Sequence, residues 1–153
     1  MRLILILVLS IITTTAHAGL VATAQKYEGL HERANYSRVK AIVGHNPKRI
    51  PWCGTFACHV LKKNGYKCPP SKASARSYLE LGKKVPLSQA RRGDLVVYAR
   101  RSGGHVGFFV KSTGRGKIEM VSGNDGNAVK TRVRSTKGVI GVRRVVGYKN
   151  RGS

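Results

Sequence analysis

From Asp94 onward apolar and polar residues alternate, whereas the earlier half of the chain keeps helical spacing, and this switch of period restricts the fold more than any other feature. Leu95 to Ala99, Val106 to Lys111, Ile118 to Val121, Val129 to Val133 and Val139 to Val146 read as five strands. Gly103-Gly104, Gly114 to Gly116, Asn124 to Asn127 and Gly138 supply turn chemistry between them. Connections this short favour antiparallel neighbours. Upstream, helices are expected over Gly19 to Glu32, Ser37 to Val43, Trp52 to Lys63, and from Ser71 or Ser74 to Leu81. Gly44, Asn64-Gly65 and Gly82 stop them, because a left-handed cap favours Gly or Asn. Helices followed by strands predict an α+β domain with its N-terminal helices packed on a five-stranded antiparallel sheet. Lys130, Arg132 and Arg134 alternate with Thr131 and Val133, so one sheet face is expected to be wet and basic.

The first residues stand apart from that domain. Met1-Arg2, the apolar run Leu3 to Ile12 and the small-x-small pattern Ala16-His17-Ala18 read as a signal peptide over 1–18, cleaved after Ala18. The expected product is a secreted or periplasmic monomer with one domain over 19–153. The apolar run falls well short of the about 20 residues that span a bilayer, so no stable membrane insertion is expected after cleavage. Twenty-nine Lys and Arg against six Asp and Glu give a net charge of +23. Such a field attracts polyanions and repels cations. For an exported protein the natural partners are the carboxylate-rich and phosphate-rich polymers of a cell wall. The basic residues are spread along the chain and the aromatics are few, which argues against a specific nucleic-acid site.

Reactive chemistry concentrates at Pro51-Trp52-Cys53-Gly54-Thr55-Phe56-Ala57. Cys53 falls in the first helical turn, where unpaired N–H groups and about half a positive charge from the helix dipole favour thiolate. The same N–H groups suit the oxyanion of an attacked amide. Of the five histidines, His105 is the best base, because it opens a strand. Alternation puts Gly107 on its face, and a glycine there lets the Cys53 helix lie close. Asn124 follows the next strand and is the expected third group, orienting His105. Asp125 and Glu32 are substitutes, and Asn124-Asp125-Gly126 also reads as a plain hairpin turn.

Pro-Trp-Cys-x-x-Phe, Ala75 to Leu79, Arg92 to Val97, His105 to Val110 and Gly-Asn-Asp-Gly-Asn at 123 to 127 resemble, in order, small peptidoglycan hydrolases of the NlpC and CHAP type. The resemblance runs from Ala22 to about Val146. It implies a papain-like α+β core and hydrolysis of wall amide bonds by a Cys-His-polar triad through a thioester. By motif, Cys53 matches the nucleophile and His105 the general base and acid. Asn124 matches the Asn of a Gly-Gly-Asn-Gln motif, although its flanks here are Ser122 and Asp125. Trp52, Gly54, Gly123 and Asp125 are then the expected substrate-binding residues. Peptidoglycan is the implied partner, with no metal or cofactor required.

Other readings are weaker. Thioredoxin chemistry needs a second cysteine three positions after Cys53, where Phe56 stands. A zinc site from Cys53, Cys58, His59 and Cys68 matches no compact knuckle spacing. A Cys58–Cys68 disulfide is expected instead, because the Gly65 turn brings the chain back along the helix while Cys53 stays free. The alternative to an enzyme is a basic, non-catalytic binder of anionic wall polymer or nucleic acid.

Overall fold

The computed structural model describes His17 and residues 19–147. The expected signal peptide, His17 apart, lies outside the described residues. No helix among the described residues is long and apolar enough to cross a membrane. The first helix, α1, covers residues 19–25 and gives way to turns at 26–29, short of the expected Glu32. The reason is a sheet edge. The Gly29 N–H donates to Val129 O, Glu32 N–H to Asn127 O, and His31 bridges Ala128. Unpaired edge groups thus capture backbone that sequence spacing assigns to helix.

Helix α2 runs Tyr36–Val43 and α3 runs Cys53–Lys63. Phe56, Ala57, Val60 and Leu61 bury the inner side of α3. Cys58 on α3 is bridged to Cys68. Closing a loop of that size contributes about 2–3 kcal/mol by restricting the unfolded chain. The expected helix through Leu81 is a short 3-10 turn, Ala75–Glu80, and a second one covers Leu87–Gln89. Tyr78 anchors the first from inside, its hydroxyl donating to Lys72 O at 3.1 Å and to Gly54 O.

Among the described residues six strands follow one another antiparallel, one more than expected. They are β1 (Lys83–Val85), β2 (Leu95–Arg100), β3 (Gly103–Gly114), β4 (Lys117–Asp125), β5 (Ala128–Ser135) and β6 (Val139–Arg144), in the order β1-β6-β2-β3-β4-β5. Three residues of β1 carry too little alternation to announce a strand; they pair because β6 offers them a free edge. Leu95, Val97, Val106, Phe108, Val121 and Val129 pack against the helices. The opposite face is not uniformly wet, which corrects the sequence reading. Val85, Val96, Tyr98, Phe109, Ile118, Met120 and Val142 form a second core there, beneath Leu87 and Ala90. Basic residues Lys130, Arg132 and Arg134 occupy only the β5 end.

Candidate active site

Trp52 is wholly buried and its indole N–H donates to Glu32 Oε2 at 3.0 Å. That bond fixes the chain just before α3 and places Cys53 at the helix start. Cys53 is free and only 4% exposed. Burial pushes its thiol up from the ordinary value; the N–H groups of Val106 and Gly54, the Arg100 charge and its own N–H pull the other way. The helix-start donors expected from sequence are therefore present. Desolvation outweighs them, so the expectation of a favoured thiolate is corrected: in the absence of substrate the sulfur rests as thiol.

His105 lies on β3, and Val106, whose N–H reaches the Cys53 sulfur, is the next residue. The His105 ring is 1% exposed and its Nε2 is 2.8 Å from the Ser122 hydroxyl, itself 1% exposed. Nδ1 is buried with no hydrogen-bond partner among the described residues. Burial, then the charges of Arg100 and Arg134, push the imidazole down to about 3 against the opposing pull of Asp125. The ring is accordingly neutral at pH 7.

This depressed value makes a stability prediction. An unfolded His105 takes up its proton below about pH 6.5, whereas the folded ring resists until about 3. Stability is therefore intact above the unfolded value and falls as pH drops through that window, by about 1.4 kcal/mol per pH unit. Relative to His105→Gln, the native chain should lose about 2–4 kcal/mol between pH 7 and pH 4 in urea titrations. Parallel profiles for the two proteins would show that the ring is not held neutral by burial.

Asn124 is not the group hydrogen-bonded to His105; Ser122 is. Register shifts between Ser122 and Asp125, and Asn124 adopts a φ of 55°, so strict alternation fails at the end of β4. Of the substitutes, Glu32 holds Trp52, and Asp125 pairs with Arg134 at 2.8 Å and Arg132 at 3.6 Å. The residues expected to bind substrate make internal contacts. Trp52, Gly54, Gly123 and Asp125 are all buried. A Cβ on Gly54 would stand 2.4 Å from Lys72 O, and one on Gly123 would meet Phe56 of α3 at 2.7 Å. Gly123, not Gly107, is thus the glycine that admits α3; a Cβ at Gly107 would meet Met120 and Ser122 on the neighbouring strand. With Cys58 and Cys68 bridged and His59 2.8 Å from the Tyr27 hydroxyl, three of the four conceivable zinc ligands are engaged elsewhere.

Sequence reasoning missed Ser122, Tyr78 and Arg100. Ser122 carries a signal in hindsight, standing between Met-Val and Gly at the end of a strand. Tyr78 lay inside a recognised segment but without an assigned role. Arg100 is one of many cations, and only folding sets its charge upon Cys53 and His105.

No curated protein matches the chain. Among solved structures, the peptidoglycan hydrolase RipB of Mycobacterium tuberculosis superposes with a TM-score of 0.59 at 17% identity, covering 89% of this chain and 67% of that one. The P60 domain of an antigen from M. avium paratuberculosis gives 0.64 at 17% identity, with 91% and 99% covered. RipD of M. tuberculosis, described as a non-catalytic NlpC/p60 domain protein adapted to peptidoglycan binding, gives 0.60 at 20% identity, with 86% and 98% covered. Such identities establish a shared fold. Residues 42–145 match the NlpC/P60 family model, and as that is well over half of the sequence, the chain belongs to the NlpC/P60 family.

Proposed function

We propose that this protein is an exported cysteine hydrolase that cleaves an amide bond in peptidoglycan peptides. The support is a free cysteine at a helix start that takes the N–H of Val106, the residue after His105, together with a histidine whose Nε2 is tied to Ser122 and whose Nδ1 has no partner among the described residues. In the Nε2–H tautomer the ring donates to the Ser122 hydroxyl and leaves the Nδ1 lone pair free. Nδ1 takes the Cys53 proton as the sulfur attacks the amide carbonyl. The N–H groups of Cys53 and Gly54 receive the oxyanion. The amine departs with the proton from His105, leaving a thioester. Water then attacks, giving its proton to His105, and the thiol is restored. Asn124 acts at most from beyond Ser122. The net charge of +23 concentrates the protein on anionic wall polymers.

A second reading, a wall binder without turnover, is favoured by the burial of the thiol and by the depressed basicity of His105. RipD has this character within the same fold. Digestion of purified sacculi separates the two. A hydrolase releases soluble fragments whose masses, read by mass spectrometry, carry one added water per amide cut. Sacculi that bind the protein yet release nothing over many hours exclude hydrolysis and leave binding.

A further inference from the structure

The turn between β2 and β3 gathers three arginines just ahead of His105. Arg100 ends β2 and is the cross-strand partner of Gly103. Arg76, from the 3-10 turn that carries Tyr78, donates its Nε to the Gly103 carbonyl at 2.9 Å, and its aliphatic stem lies against Gly104. Arg101 occupies the turn itself. All three side chains are exposed. None forms an ion pair with a carboxylate among the described residues, whereas Arg134, the other guanidinium acting on His105, is held by Asp125. Arg100 also acts electrostatically on both Cys53 and His105. By strand register Arg100 lies two residues beyond Tyr98, the cross-strand partner of His105, and so on the same face as His105, without a counter-charge among the described residues.

The geometry points to this turn as an anion subsite, in which Arg100, assisted by Arg76, holds a free carboxylate of the peptide next to the scissile amide. The inference rests on the proposed hydrolase reading for its substrate, and extends it by assigning a specificity-determining residue. A carboxylate is favoured over a polymer phosphate because the subsite adjoins the strand end that carries His105, so on the proposed reading the anion belongs to a residue near the amide being cut. A guanidinium also matches a carboxylate in a two-point fork that lysine cannot reproduce. Once docked, the carboxylate would offset the charge that depresses His105, so the base would strengthen when substrate is in place.

The test measures binding, so that it does not depend on turnover. Stem peptides prepared from sacculi, with carboxylates free or converted to carboxamides, are titrated by calorimetry into Cys53→Ala protein at physiological salt. Amidation is expected to weaken binding about tenfold or more. Adding Arg100→Gln should shrink that difference to about twofold, and Arg100→Lys should leave it intermediate. Lys83→Gln, which removes one charge from the distant edge strand β1, should leave the difference unchanged. Full discrimination in Arg100→Gln, or equal loss in Lys83→Gln, overturns the subsite and reduces the effect to bulk charge. If discrimination follows Arg100 but the native protein releases nothing from sacculi, the subsite stands and the hydrolase reading falls.

Discussion

Replacing Cys53 by alanine is expected to lower fragment release from sacculi by about 10⁴-fold or more while leaving retention of the protein on the wall unchanged. The substitution removes the sulfur and little else. Position 53 is buried at the start of α3, where alanine is tolerated by the helix and keeps the backbone N–H groups in place. On the proposed reading, wall retention comes from charge spread over the surface, which the change does not touch. In a Cys53→Ala background, His105→Gln should add almost no further loss, because the two groups act as a unit. Equal release by native and Cys53→Ala protein would falsify the thioester mechanism, whatever the wall affinity.

The second large effect concerns stability. Asp94 is fully buried, with Arg144 Nε 2.9 Å from Oδ1, Arg144 Nη2 2.7 Å from Oδ2, and the Arg91 N–H 2.8 Å from Oδ2. The forked pair joins the end of β6 to the start of β2, next to the Gly93 and Phe109 backbone bonds that begin the β2–β3 ladder. Arg144→Met leaves a buried carboxylate with one backbone donor. Breaking such a pair costs about 3–5 kcal/mol, a large part of a typical domain's stability. The midpoint of thermal unfolding should drop by about 10 °C. Asp94→Asn combined with Arg144→Met should recover part of that loss, since no unpaired charge remains. A single-variant cost below about 1 kcal/mol in urea would mean that water reaches the carboxylate.

Local pattern was legible and long-range placement was not. The change from helical to two-residue period located α2, α3 and five of the six strands, because amphipathic period is a property of neighbours along the chain. Cys53 at a helix start and His105 at the head of β3 follow from the same local signals, as do the N–H donors at the sulfur. The strand order required the fold, since β6 returns past β5, β4 and β3 to lie between β1 and β2.

Contacts within the site were decided in the same way. A bulge near the end of β4 put Ser122, rather than Asn124, against His105. Only the fold shows that Trp52 and Asp125, both expected at the substrate, are buried against Glu32 and Arg134. The protonation of the pair also belongs to tertiary structure. A helix start favours thiolate from a few adjacent dipoles, but desolvation is a sum over every surrounding element, and here the larger sum holds sulfur and imidazole neutral. By itself the sequence determined which residues could react; folding decided what each of them touches and which proton it carries.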